Sequence, residues 1–138
     1  MKLFYSILTM LWLTACNSSN STDKLLTEVL YKDQYVRLQM QELTKAVNND
    51  GNAELIDSLV VLSENIERID KENIAVIDSL LQQGLPKGLS EESYKTIWIV
   101  IDHASLEKQV QHLSIIEKMS SEGLIDVDNY AILFDRIA

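Results

Sequence analysis

The sequence predicts an all-α fold, a small bundle of about five helices that starts with a long antiparallel hairpin. Two observations carry this. The 138 residues include four Gly and one Pro, too few turn residues for a many-stranded sandwich or barrel, while 46% hydrophobic residues are too many for a disordered chain. Apolar positions recur at steps of three and four along the longer segments, the spacing of a helix with one buried face. The length suits one domain.

From Asp23 to Val47, the residues Leu26, Val29, Val36, Met40, Leu43 and Val47 form a first stripe in which Asp33 takes the place of one hydrophobe. Asn48-Asn49-Asp50-Gly51-Asn52 interrupts it with residues that tolerate turns and left-handed backbone. A second stripe runs through Leu55, Leu59, Leu62, Ile66, Ile69, Val76 and Leu80, with Asn73 as its polar member, and stops at Gly84 and Pro86. The short connection makes the two helices antiparallel neighbours and pairs positions whose numbers sum to about 102. Asp33 then faces the turn around Ile69 and Asp70. Arg37 lies one turn after Asp33 and Asn73 about one turn after Asp70, so the polar exceptions of both stripes converge at one level.

Ser90 is the expected N-cap of a third helix, with Glu91 and Glu92 in its first turn to suit the dipole. Ile97-Trp98-Ile99-Val100-Ile101 is apolar on every side, which predicts the central, most buried element with Trp98 in the core. Either a kink or a new N-cap follows at Ser105. The chain continues as a helix with Leu106, Val110, Leu113, Ile116 and Met119 inward, as far as Gly123. Asp126 or Asp128 caps a last helix with Tyr130, Leu133, Phe134 and Ile137 inward.

The front of the chain reads differently. Lys2, an apolar stretch from Leu3 to Leu13, and the small residues Thr14 and Ala15 before Cys16 are the pattern of a secretory signal. The stretch is too short to cross a ~30 Å hydrocarbon core, which takes about 20 helical residues. Leu13-Thr14-Ala15-Cys16 resembles the lipobox of bacterial lipoproteins, in which the Cys is acylated and becomes the new N-terminus. The expected organisation is a signal peptide over 1–15, an acylated Cys16 with a polar tether over 16–22, and one helical domain over 23–138. That implies a lipid-anchored protein of the bacterial cell envelope, facing the periplasm, with the membrane as a partner through its lipid.

With 12 Lys and Arg against 21 Asp and Glu, the net charge of −9 at pH 7 argues against a nucleic-acid partner. Loss of the signal removes Lys2 and makes the remainder more negative still, so lipid must provide the anchoring. No phosphate loop, paired-Cys spacing or two-His helix motif is present, and neither a cofactor nor a metal is expected. His103 and His112 stand nine residues apart, on opposite sides of a straight helix. His112 is expected at the surface. His103 is read either as a core-edge His satisfied by one hydrogen bond or as a general base or ligand met by a carboxylate. Asp33 in an apolar seam needs a cation or donors; it either fixes helix register or forms a polar pocket with Arg37, Asp70, Asn73 and His103. Asp135 and Arg136 are read as a solvated pair or as further members of that cluster.

The ordered set Asp33-Gln34-x-x-Arg37, Asp70-x-x-Asn73, Gly84-Leu85-Pro86, Asp102-His103-Ala104, Gln109 and Ala131-Ile132-Leu133-Phe134-Asp135-Arg136 resembles a family of uncharacterised bacterial helical proteins known as a domain of unknown function. The resemblance runs from Asp33 to Arg136. Leu85 stands where the family has an aromatic, Asp102 where it has Gln, and the chain stops two residues after Arg136, without the family's Gln-containing tail. If that tail closes a pocket, this copy is expected to be truncated or inactive. The resemblance implies a shared site for Asp33, Arg37, Asp70, Asn73, His103, Asp135 and Arg136, and it supplies no reaction. Binding through that pocket is the first expectation for function. A small hydrolase or lyase with His103 as general base, and a structural spacer or assembly subunit, are the alternatives.

Overall fold

The computed structural model describes residues 2–50 and 52–138, with side chains from 19–49 and 52–138. Five helices follow one another: α1 (Lys2–Asp50), α2 (Ala53–Leu81), α3 (Glu91–His103), α4 (Leu106–Ser121) and α5 (Val127–Ile137). No strand occurs among the described residues. The expected signal segment 1–15 and the side chain of Cys16 lie outside the residues whose side chains are described, and the expected tether, 16–22, falls within the bounds of α1. Among the described residues, no helix is long and apolar enough to cross a membrane.

The hairpin of α1 and α2 turns where its Asn, Asp and Gly run directs it. Asn52 caps α2, its side-chain oxygen accepting from the Leu55 amide at 2.9 Å, which satisfies one of the free amides of the first turn. After Leu81 the chain leaves the helix through Gly84, whose φ of +93° suits a residue without Cβ. Ser90 then caps α3, accepting from the Ser93 amide at 3.2 Å.

Two carboxylates of α1 fix the course of α3. Asp23 accepts from the Ser90 amide at 3.0 Å and from the Ser93 hydroxyl at 2.6 Å, while Asp33, farther along α1, meets His103 at the other end of α3. The Ser93 hydrogen bond, followed by the Ser90 amide, lowers the pKa of Asp23. α3 therefore runs alongside α1 in the same direction. Its apolar residues fill the centre: Ile97 and Ile101 are fully buried and Val100 nearly so, packed with Leu26 of α1, Ile77 of α2, Ile116 and Met119 of α4 and Leu133 of α5. Trp98 is partly buried at the margin of this core, where its indole donates to the Asn129 carbonyl at 3.0 Å and ties α3 to α5.

The cap formed by α3, α4 and α5 covers only the lower half of the hairpin. Among the described residues from Leu38 to Arg68, no side chain is fully buried, so the Met40, Leu43 and Leu59 seam is shared by two helices alone. α4 is turned relative to the sequence expectation. Leu106 and Val110, expected inward, are 58% and 53% exposed, while Gln109, His112, Ile116 and Met119 face the core. The reason is hydrogen bonding: Gln109 donates to the carbonyls of Asp102 and Ala104 at 2.8 and 3.0 Å, satisfying the end of α3. In α5 Leu133 is buried, but Phe134, also expected inward, is 46% exposed and leans on Tyr130. Asp126, rather than Asp128, occupies the N-cap position of α5.

Candidate functional site

At the level where the polar members of the stripes meet, α1, α2 and α3 each contribute a titratable side chain. Asp33, 1% exposed, accepts from Gln34 Nε2 at 2.8 Å and from Arg37 Nε at 3.4 Å on one oxygen, and pairs with His103 Nδ1 at 2.9 Å on the other. Arg37 Nη2 reaches across the hairpin to Asp70 at 2.7 Å. The guanidinium thus lies between two carboxylates.

One cation shared by two carboxylates leaves an imbalance that separates their pKa values. Burial pushes Asp33 up, but the hydrogen bond and charge of His103, the charge of Arg37 and the Gln34 amide outweigh it and hold the carboxyl below the ordinary carboxylate value. For Asp70 burial again comes first, and with the negative charge of Asp33 nearby it exceeds the pull of Arg37, so this carboxyl is raised despite its close ion pair. A carboxylate with a raised folded pKa contributes stability below its unfolded value and loses that contribution as pH rises through the folded value. Asp70→Asn is therefore expected to leave stability at pH 7 equal to or above that of the parent in urea unfolding; a clear loss would show the Arg37 pair outweighing the cost of burial.

Asn73, one turn beyond Asp70, is 3% exposed and its Nδ2 has no hydrogen-bond partner in the structure; it bonds to none of the four clustered residues. The C-terminal pair does not join them either. Asp135 is exposed, because burial of Leu133 two positions earlier turns it outward, and Arg136 instead donates to the carbonyl and carboxylate of Asp102, both at 2.8 Å. Of the seven expected polar-site residues, Asp33, Arg37, Asp70 and His103 come together, Asn73 lies nearby, and Arg136 braces the residue before His103.

A second cluster lies outside the residues that the sequence pattern singles out for a site. His112, expected at the surface, is 5% exposed, and its Nε2 meets Asp78 at 2.6 Å while Lys108 Nζ contacts the other Asp78 oxygen at 2.6 Å. Burial pushes Asp78 up, yet the Lys108 and His112 hydrogen bonds bring it below the ordinary carboxylate value. Lys108 and His112 share one face of α4 at a spacing of four, the only local hint of this cluster in the sequence.

Between the two clusters lies an open cavity of about 500 Å³, walled by Asp70, Ile74, Ala75 and Asp78 of α2 and by His103, Ala104, Ser105 and Lys108. Two turns of α2, about 12 Å, separate its acidic ends. The floor is apolar at Ile74, Ala75 and Ala104. His103 Nδ1 is engaged by Asp33, and among the described residues Nε2 has no hydrogen-bond partner. Ser105 precedes α4 as its N-cap but makes no side-chain cap bond. An aspartate holding one imidazole nitrogen orients the ring, leaving the other nitrogen to accept or donate. Asp33, Asp70 and His103 also offer three donor atoms within 4.8 Å of one another, a set that is able to hold a metal ion. Neither a protein-family model, nor a curated protein, nor a solved structure matches the chain.

Proposed function

We propose that the chain is a lipid-anchored protein of the bacterial cell envelope, tethered to the membrane through acylated Cys16 and facing the periplasm, and that it acts by binding a ligand in the groove between α2 and the α3–α4 junction. The observation that carries the groove reading is the Asp33–His103 pair at 2.9 Å, with the imidazole on the wall of an open cavity of about 500 Å³. A volume in this range suits a small organic molecule, and an apolar floor with polar groups at both ends is the usual build of such a site. The signal-like segment, the lipobox resemblance and the single Cys support the anchor.

The same pair favours a second reading, a small hydrolase or lyase in which His103 Nε2 takes a proton from water or substrate while Asp33 stabilises the imidazolium. Both readings meet one experiment. Carboxylate, amide and ester fragments are titrated into the isotopically labelled protein, and amide and imidazole NMR shifts are followed. Shifts confined to residues 70–78 and 103–108, absent in His103→Gln, support the groove; turnover of an ester lost by about 100-fold or more in that variant supports the enzyme. Shifts scattered over the surface or unchanged in His103→Gln refute the groove and leave the spacer alternative. For the anchor, metabolic labelling with a fatty acid should mark the parent protein and spare Cys16→Ser.

A further inference from the structure

The Asp33, Asp70 and His103 side chains come from three different helices, and their donor atoms lie within 4.8 Å of one another beside the groove. We infer that these three residues form a site for a single divalent transition ion of the zinc class, and that Arg37 is the resident cation the ion displaces.

Charge supports an exchangeable cation. Two carboxylates, Asp33 and Asp70, share the single guanidinium of Arg37, so the carboxylates outnumber their resident cation by one. A divalent ion in place of the guanidinium would balance them. Arg37 is free to leave: its side chain is 29% exposed, whereas Asp33 beneath it is 1% exposed and fixed by Gln34 as well. The departing guanidinium loses contacts at 2.7 and 3.4 Å but gains water.

Donor chemistry selects the class. One imidazole nitrogen with two carboxylate oxygens suits zinc, manganese or iron better than magnesium or calcium, which prefer all-oxygen shells, and no thiolate is present in the set to favour copper(I). A tetrahedral zinc shell has edges of roughly 3.3–3.5 Å, so the farther donors must draw in by little more than 1 Å, while His103 and Asp33, hydrogen-bonded at 2.9 Å, must part slightly and the ring proton must leave Nδ1 for Nε2. Burial shuts one side of the set at Asp33. Asp70 and His103 both border the cavity, so a fourth position would open into it, as in zinc sites with three protein ligands and an exchangeable water.

This inference concerns the wall of the groove already proposed as a ligand site and rests on that reading only for the open fourth position. Ion binding without any groove ligand would leave the ion site standing and the groove reading refuted; groove binding without an ion would do the reverse. The test is calorimetric titration of the purified full chain with Zn²⁺, with Mg²⁺ as the comparison ion and circular dichroism to check folding. One ion per chain is expected, weakened about tenfold or more in Asp70→Asn and in His103→Gln, and unchanged in Asp78→Asn. The distinguishing result lies at Arg37: Arg37→Met, which keeps the packing stem and removes the resident charge, should bind zinc about tenfold more tightly than the parent. The thermal midpoint should rise more on zinc addition in Arg37→Met than in the parent, which checks the same point in a variant of lower stability. Absence of zinc binding, equal binding of Mg²⁺, loss in Asp78→Asn instead, or unchanged or weaker binding in folded Arg37→Met would overturn the site.

Discussion

Ile97→Ala should lower the unfolding free energy by about 3–4 kcal/mol, the largest single loss expected in the molecule. Ile97 is fully buried at the centre of α3 and belongs to one core cluster with residues from all four other helices, of which Leu26, Ile77, Ile116, Met119 and Leu133 are each 0% exposed. Truncation removes three carbons from that centre. The surrounding helices are tied to α3 by hydrogen bonds at both of its ends, through Asp23 at Ser90 and through Asp33 at His103, so they cannot slide in to fill the void. Urea unfolding at pH 7 measures the effect. Ile56→Ala is the comparison: on the uncapped half of the hairpin, 49% exposed, it should cost less than about 1 kcal/mol. Equal losses at the two positions would mean that α3 is not the organising element of the core.

That contrast also marks what the sequence could and could not disclose. α3 was legible because Ile97 to Ile101 is apolar in every direction, and a segment with no polar face has nowhere to lie except the centre. The hairpin was legible because its turn residues are concentrated between Asn48 and Asn52, and the antiparallel register then brought Asp33 opposite Asp70 from spacing alone. His103 joined that level only as one of two readings, because its placement depends on where α3 starts and how it leans. α4 departs from its periodicity for a physical reason: the pattern assigns polar residues to the surface, but Gln109 and His112 find partners on Asp102, Ala104 and Asp78 that lie far away or across a helix boundary. A satisfied polar group packs inward as readily as a hydrophobe, and the satisfaction is invisible in the local sequence. The Asp78 cluster is hidden in the sequence on the same ground. The solvated reading of Asp135 fits its exposure on α5, which turns it outward to bury Leu133, whereas the motif resemblance alone draws it toward the site.

Asp33→Leu and Asp33→Asn separate a register residue from a site residue, because the two substitutions stress different parts of the same cluster. Leu fills the buried position with apolar volume, leaves Gln34 and His103 without their acceptor, and leaves Arg37 with Asp70 alone. The Arg37 and His103 side chains are 29% and 26% exposed and Gln34 is at the surface, so water can reach all three donors, and the loss should stay within about 1.5 kcal/mol. Asn keeps the shape but sets a neutral amide among three donors and gives up the charge-assisted bonds, a loss of about 2–3 kcal/mol at pH 7. The parent should also weaken in acid in a way that Asp33→Asn does not. The folded pKa of Asp33 is lowered, so its contribution is complete above the unfolded carboxylate value and disappears as pH falls through the folded one; the parent and Asp33→Asn should therefore converge in stability at acid pH. If Asp33 serves register alone, folded Asp33→Leu retains whatever the groove binds. If it orients His103 and shares a cation with Asp70, folded Asp33→Leu melts close to the parent yet loses binding of groove fragments and of zinc by about tenfold or more, since the imidazole then has no partner to fix its ring and the ion has lost its most buried ligand. The two measurements on one variant, melting and binding, thus answer separate questions, and retention of both would reduce the cluster to a packing device.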